Sequence, residues 1–170
     1  IIRCGQHLVR PKRYMRYYGL ELENEADLPA AVVQQAKHGD GWVKIVGDWI
    51  DRSDGAESDL QTLWSTAVLR DAVAAAHENG ARVTVHTFAH RTIEGLLDAG
   101  VDCIEHGTGM DSDEILEAQR RGVRVTPTML QIARFSDFAA QAGAKYPVYA
   151  ATMTALDQSR VAHQAALYES

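Results

Sequence analysis

The feature that most constrains the fold is a repeated spacing between glycines and the ends of short apolar runs. Three such runs, each rich in β-branched residues, follow a glycine: Gly80 precedes RVTVH (82–86), Gly100 precedes VDCIEH (101–106), and Gly122 precedes VRVTPT (123–128). Each run closes six positions after its glycine, and two of them close on a histidine. Short β-branched runs of this kind are typical of buried strands.

A helical pattern of apolar residues precedes each of these glycines. The three patterns cover residues 63–77, 93–99 and 115–121, and Ser112 is the expected N-cap of the third helix. Glycine directly after a helix supplies the left-handed residue that ends it. The run WVKIVGDW (42–49) follows a helical pattern in the same way, and IIRCG (1–5) is interpreted as one more strand. Five strands that alternate with helices predict a parallel α/β sheet with right-handed crossovers.

Size and charge narrow the class of protein. The 170 residues are 46% hydrophobic, enough for one core and too few for two large domains, so residues 1–170 are treated as a single domain. A formal charge of −6 opposes a nucleic-acid or anionic-membrane partner. No apolar run approaches the roughly 20 residues of a membrane span, and the first residues lack the layout of a signal peptide. Cys4 and Cys103 lie inside apolar runs, which favours free thiols and a soluble, cytoplasmic protein.

Two histidines end consecutive predicted strands, His86 and His106. Functional groups of parallel α/β sheets collect at the carboxyl ends of strands, and neighbouring strands lie about 4.8 Å apart, so the two imidazoles can share a metal ion. Each histidine taken alone has another explanation, a hydrogen-bonded cap or core residue. Lys44 places an amine inside an apolar strand, which indicates either a site residue or a lysine extending from an edge strand.

Three short segments resemble the fourth, fifth and sixth strands of the amidohydrolase superfamily. They are VKIVGD with its lysine, VTVH with its closing histidine, and IEHGT with its histidine. The closest likeness is to its imidazolonepropionase-like and Xaa-Pro-dipeptidase-like branch. It covers residues 1–130, with AGVDCIEHGTGM as the most specific piece. The resemblance implies a partial (β/α)8 TIM barrel whose strands three to seven are residues 1–5, 42–47, 82–86, 101–106 and 123–128. A helical segment over 148–168 follows them.

The resemblance also implies a site and a reaction. Lys44 matches the family's bridging lysine, which is often carboxylated and becomes an anionic oxygen ligand. His86 and His106 match the histidines that hold the second metal. The resemblance implies one or two divalent metals, with Zn2+ as the expected ion. It also implies a metal-dependent hydrolase that uses metal-activated water to cleave a C–N bond of a small-molecule substrate, including amide and dipeptide bonds.

Two parts of the family pattern are absent from these 170 residues, namely a His-x-His pair and the aspartate of an eighth strand. We therefore interpret the chain as the middle of an amidohydrolase barrel. We expect the 170 residues alone to bind zinc weakly and to be inactive. The alternative is a non-catalytic, degenerate homologue or truncated α/β piece with no complete metal site.

Candidate substrate contacts come from outside the strands. Arg10, Arg13 and Tyr14 belong to a basic, tyrosine-rich stretch that would form the loop after the first strand, where an arginine can bind a substrate carboxylate. A solvated loop explains the same residues. His90 lies near the second histidine position of some branch members but out of register. Unpaired outer strands also make homo-oligomerisation a hypothesis.

Overall fold

The computed structural model describes residues 1–15 and 17–170. Its strands are β1 (His7–Val9), β2 (Gly19–Glu21), β3 (Trp42–Val46), β4 (Asp48–Ile50), β5 (Leu60–Thr62), β6 (Arg82–Thr87), β7 (Cys103–His106) and β8 (Arg124–Thr126). Its α-helices are α1 (Leu28–His38), α2 (Thr66–Glu78), α3 (His90–Ala99), α4 (Ser112–Arg121), α5 (Met129–Ile132), α6 (Phe135–Ala142) and α7 (Pro147–Glu169).

Six of the strands form one parallel sheet in the order β2-β1-β3-β6-β7-β8, and β4 and β5 form an antiparallel pair. Helix α2 crosses over from β3 to β6, α3 from β6 to β7, and α4 from β7 to β8. Helices α1 to α4 pack side by side in chain order. This is the predicted alternation of strands and helices, and the parallel sheet it predicts is confirmed.

Strand register separates an apolar face of the sheet from a polar one. Ile45, Val85 and Ile104 are aligned across β3, β6 and β7, have no exposed surface, and join the core that the helices cover. Alternate residues point to the other face. Because one face is filled by aliphatic packing against helices, the polar groups of the central strands gather on the opposite face.

Glycines end the helices as the sequence predicts. Gly100 and Gly122 follow α3 and α4 with φ of +77° and +72°, in the left-handed region. The start of α4 differs from the prediction, because its N-cap is Asp111 and not Ser112. Asp111 accepts a hydrogen bond from Glu114 N at 2.9 Å, and the Glu114 carboxylate accepts one from Asp111 N at 3.0 Å, which is a reciprocal capping box.

The beginning of the chain corrects one predicted strand. Residues 1–5 form no strand, and the first strand is β1 at His7. Arg3 N instead donates to the Asp40 carboxylate at 3.0 Å, and Asp40 N donates to Arg3 O at 2.7 Å, so this segment is held by the turn before β3. Among the described residues the sheet has six strands and not five, because β2 is a strand that the sequence pattern does not predict.

The other predicted strands occur with shifted ends. The strand expected over 101–106 begins at Cys103, and the one expected over 123–128 covers Arg124–Thr126. The helical segment expected over 148–168 is α7, Pro147–Glu169. No helix among the described residues has the length and apolar character needed to cross a membrane.

Candidate active site

A cavity of about 410 Å³ opens on the polar face of the sheet, and it brings together Lys44, His86 and His106. Those are the three residues that the sequence put forward as metal ligands. The other residues that line the cavity are Cys4, His7, Tyr14, Met15, Trp49, Glu105 and Gln131.

The register of the central strands explains why Lys44 and His86 share this cavity. Lys44 is aligned with Thr84 on β6, and His86 is aligned with Glu105 on β7. Residues aligned across parallel strands point to the same face, and Thr84 and His86 are two positions apart on one strand. Lys44 is only 4% exposed and His86 only 3%. The pattern therefore buries one amine and one imidazole side by side.

His106 reaches the cavity by a backbone distortion. Simple alternation along β7 would send it to the face opposite Glu105. It instead adopts φ +68°, the left-handed region, and Gly107 follows with φ +58°. The His106 ring then lies 4.7 Å from the His86 ring, measured between centroids. Non-glycine residues held in this region cost about 1–3 kcal/mol and cluster at functional sites.

Glu105, which sequence reasoning missed, forms an ion pair with Lys44. Its other carboxylate oxygen accepts a hydrogen bond from Thr84 Oγ1 at 2.9 Å. Burial acts to raise the pKa of Glu105, but the Lys44 ammonium and the two hydrogen bonds outweigh it and leave the pKa below its usual value. Burial lowers the pKa of Lys44 although Glu105 opposes that shift. The only sequence signal was the position of Glu105 directly before His106.

The imidazoles of His86 and His106 are held neutral. Burial, together with the positive charge of neighbouring groups including Lys44, lowers the pKa of His86 well below its usual value. Burial also lowers the pKa of His106 to about 4. Neutral imidazole is the form that coordinates metals. His106 Nδ1 shares a hydrogen bond with Thr128 Oγ1, a contact of the kind that orients a ligand ring.

His86 Nε2 has no hydrogen-bond partner in the described part of the chain, although it is buried. A carboxylate oxygen of Asp48 lies 3.7 Å away, and the rings of Phe88 and Trp49 flank the imidazole at 4.5 and 5.3 Å between centroids. A buried polar atom without a partner costs about 1–3 kcal/mol unless a water or an ion satisfies it. A metal ion would satisfy this orphaned nitrogen, and the neutral state of both rings fits metal coordination.

Asp48 is the second functional candidate that the sequence did not reveal. Its side chain is fully buried and accepts hydrogen bonds from Thr87 Oγ1, Phe88 N and Ala89 N, the last at 2.9 Å. Burial raises the pKa of Asp48 to about 6, against the effect of those hydrogen bonds. The carboxylate therefore fixes the turn between β6 and α3, directly after His86.

Most of the residues that the sequence predicts to contact the substrate lie outside this cavity. Tyr14 lines the cavity and its hydroxyl lies 3.1 Å from His7 Nδ1. Arg10 donates to Leu22 O and lies over the Trp64 ring, so its guanidinium serves the loop structure. Arg13 forms an ion pair with Asp51, outside the cavity. His90 lies at the start of α3, exposed and also outside this cavity. Tyr14 alone of the four candidates faces the candidate site.

Comparison with solved structures shows the same fold in hydrolases. A Xaa-Pro dipeptidase with bound methionine matches 88% of this chain and 36% of its own, with a TM-score of 0.69 and 21% identity. A prolidase complexed with N-methylphosphonate-L-proline matches 98% and 44%, with a TM-score of 0.70 and 16% identity. Aspergillus niger ochratoxinase matches 96% and 37%, with a TM-score of 0.69 and 18% identity. The chain has the fold of part of an amidohydrolase-like barrel, which confirms the predicted partial (β/α)8 fold class.

Sequence comparison finds close relatives without an assigned activity. Uncharacterized proteins of Mycobacterium tuberculosis and Mycobacterium bovis are 52% identical over 153 residues, which is 90% of this chain. The chain spans 40% of the length of these relatives. No protein-family model matches the sequence.

Proposed function

We propose that this chain carries one part of the metal centre of an amidohydrolase that cleaves a C–N bond of a small substrate. One observation supports the proposal above the others: the His86 ring, whose buried Nε2 has no hydrogen-bond partner among the described residues, lies 4.7 Å between centroids from a second neutral imidazole, that of His106. Two neutral imidazoles at the carboxyl ends of adjacent strands are a set of metal ligands that suits zinc.

The residues take distinct roles in this proposal. His86 and His106 hold a divalent ion, with Zn2+ as the expected one. When bound, such an ion polarises an amide carbonyl and lowers the pKa of water. The hydrogen bond between His106 and Thr128 fixes the orientation of one imidazole, and the Asp48 carboxylate fixes the turn that follows the other. The aromatic rings around His86 exclude bulk water from the ligand nitrogen.

Lys44 is proposed to act as a carbamate. Burial lowers its pKa and so increases the fraction of neutral amine, the form that attacks CO2. The ammonium first loses one proton, a new N–C bond to CO2 then forms as one C=O π bond opens, and the nitrogen releases a second proton to water. The side chain thereby changes from cation to anion. Its ion pair with Glu105 would then be lost, so Glu105 is the counter-charge of the uncarboxylated lysine only.

The substrate class is proposed from the fold neighbours. Their names describe a dipeptidase, a prolidase and an ochratoxinase. A cavity of about 410 Å³ suits a small molecule of dipeptide size. We therefore propose dipeptides and N-acyl amino acids as substrates.

The test replaces the proposed ligands in a protein that contains these 170 residues together with the remaining barrel strands. His86→Ala and His106→Ala should remove zinc and lower the hydrolysis of dipeptides and N-acyl amino acids by orders of magnitude. Lys44→Ala should do the same, and added short-chain carboxylic acids should restore part of the rate by replacing the carbamate. Zinc is measured by elemental analysis and turnover by product release.

A matched control is His38→Ala, which removes an exposed histidine whose Nδ1 donates only to Gln34 O. It should change neither zinc content nor rate. Full activity in His86→Ala would contradict the proposal. In the 170-residue chain alone we expect His86 and His106 to bind little zinc, because the metal ligands are too few. We also expect no turnover of this chain.

A second candidate function is that of a non-catalytic homologue. The observation in its favour is that the Lys44 amine is already neutralised by Glu105, an arrangement that needs neither carboxylation nor metal. A complete protein that is correctly folded, free of metal and inert toward both substrate classes would establish this alternative.

A further inference from the structure

The turn that brings His106 into the candidate active site is strained. Gly107 N donates to Glu105 O at 2.9 Å and closes a three-residue γ-turn with His106 at its centre, at φ +68°. A γ-turn with positive φ at its central residue is rare, and strained backbone of this kind persists only where surrounding contacts hold it. Contacts outside the turn therefore keep His106 in this conformation.

One of these contacts comes from the last helix. His163 of α7 is 7% exposed, and its Nε2 lies 2.8 Å from Gly107 O. A carbonyl oxygen can only accept, so Nε2 carries the hydrogen and donates it. Because Gly107 directly follows His106, this hydrogen bond fixes the point at which the chain leaves the turn.

The imidazole of His163 is committed to this one bond. Burial lowers its pKa, against the effect of the bond to Gly107, so the ring is neutral at pH 7 and Nε2 is its one donor. The other ring nitrogen, Nδ1, is buried and has no hydrogen-bond partner among the described residues. A buried imidazole whose one described hydrogen bond goes to this carbonyl indicates a role at the turn.

Different elements hold the two sides of the turn. Where the chain enters, Gly107 N also donates to Thr87 O of β6 at 3.2 Å. Where the chain leaves, Gly107 O accepts from Met110 N at 3.0 Å and from His163. Met110 belongs to the same loop as Gly107, whereas His163 lies 56 residues along the chain on a separate element. In the described structure His163 is therefore the anchor of the exit.

We propose that His163 is a positioning residue for His106. Its N–H holds the carbonyl of Gly107 and so keeps the imidazole of His106 in the cavity, 4.7 Å between centroids from that of His86. His163 does not line that cavity and acts through the backbone. The inference rests on the proposed function, in which both imidazoles bind the metal ion and outer hydrogen bonds orient them.

The test compares His163→Leu with His163→Gln in a protein that contains these 170 residues and the remaining barrel strands. Leucine removes the donor, whereas the glutamine amide nitrogen is as many bonds from Cα as Nε2 and can donate to Gly107 O. Crystal structures of the metal-free protein give the φ of His106 and its ring separation from His86. Calorimetry with Zn2+ gives the affinity.

His163→Leu should take His106 out of positive φ, widen the separation of the two rings and weaken zinc binding by at least about tenfold. His163→Gln should keep the wild-type geometry and most of the affinity. If His163→Leu does not fold, His163→Phe replaces it, because phenylalanine keeps a planar ring and has no N–H.

Leu167→Ala on the same helix is the matched control, because Leu167 packs against the main core and lines the cavity beside β8. It should lower Tm and leave both the conformation of His106 and the zinc affinity unchanged. This control separates the positioning of His106 from the general stability of α7.

The crystal structures decide the inference even where the wild type binds no zinc, a result that contradicts only the proposed function. An unchanged φ of His106 in the variant without the donor would overturn the inference. So would an unchanged zinc affinity of that variant, where the wild type binds zinc. Equal losses in His163→Leu and His163→Gln would also overturn it, since they would assign the effect to the shape of the ring and not to its hydrogen bond.

Discussion

Two buried charges lie at or beside the candidate site, Lys44 on β3 of the parallel sheet and Asp48 on β4 of the antiparallel pair. Lys44 is 4% exposed and Asp48 fully buried, and each would be unfavourable there without its partners. Glu105 neutralises the lysine, while two backbone N–H groups and a hydroxyl solvate the aspartate. Removing one partner of such a set costs more than the contact itself contributes, because the other partner is left unsatisfied.

Asp48 gives a prediction for pH dependence. Its pKa is about 6 in the folded protein and 3.8 as the ordinary value, so the folded state binds the proton more tightly. Its contribution to stability is therefore fully present below pH 3.8 and is lost as the pH rises through 6. The loss amounts to roughly 3 kcal/mol, at 1.36 kcal/mol per pKa unit.

Asp48→Asn imitates the protonated acid and cannot titrate. Denaturant unfolding of wild type and variant at pH 4 and pH 7.5 measures the effect. The wild type should lose stability relative to the variant over that interval. A stability difference that stays constant across the interval would show that Asp48 does not titrate in this range.

At the scale of elements, helix ends control where each strand begins. Gly100 ends α3 in the left-handed region and is followed within three residues by β7, which carries Glu105 and His106. Its N–H donates to Leu97 O at 3.1 Å. The direction in which β7 enters the sheet therefore depends on the left-handed backbone conformation of Gly100, which residues with a Cβ disfavour.

Gly100→Ala should destabilise the protein by about 1–2 kcal/mol. A Cβ at this position would meet nothing within 4 Å, so the cost is conformational and not steric. Gly100→Asn is the matched control, because asparagine tolerates the left-handed region, and it should lose less. Urea unfolding monitored by tryptophan fluorescence gives both values. Equal stability of Gly100→Ala and wild type would contradict the explanation.

At the scale of the whole molecule, the described sheet is open and has two outer strands. β2 pairs only with β1, and β8 pairs only with β7, so each leaves a row of backbone groups without a strand partner in the part of the chain described. Beside β8 lies an apolar cavity of about 230 Å³, which includes Val125, Met129 and Leu167 in its walls. Unpaired strands next to apolar surface are sites of strand addition.

We therefore predict that the 170-residue chain self-associates through an outer strand. Light scattering coupled to size-exclusion chromatography should show an average mass that rises above 18.7 kDa with concentration. Thr126→Lys in β8 should shift the equilibrium toward monomer, because a charge on an outer strand opposes pairing. Glu117→Gln on α4, a partly exposed position outside the outer strands, is the control and should have no effect. A monomer at every concentration would refute the prediction.

The sequence by itself determined the local features of this protein. Glycine spacing and helical periodicity located three crossover units, because helix termination and β-branched runs are short-range properties. His86 and His106 were identifiable since strand ends of a parallel sheet share one edge, and Lys44 was identifiable since it places an amine inside an apolar strand. The first strand was misplaced because IIRCG has strand-like composition, while the hydrogen bonds between Arg3 and Asp40 that hold it elsewhere join residues distant in sequence.

Only the tertiary structure decided which side chains meet. Glu105 and Asp48 became site residues through contacts with Lys44 and with the turn after His86, and these contacts depend on strand register. The left-handed φ of His106, which brings its ring beside His86, has no sequence signal beyond the glycine that follows it. Of the four predicted substrate contacts, Tyr14 alone faces the cavity. Side-chain direction and pairing arise from packing between distant segments, so the sequence proposed the donors and the fold selected among them.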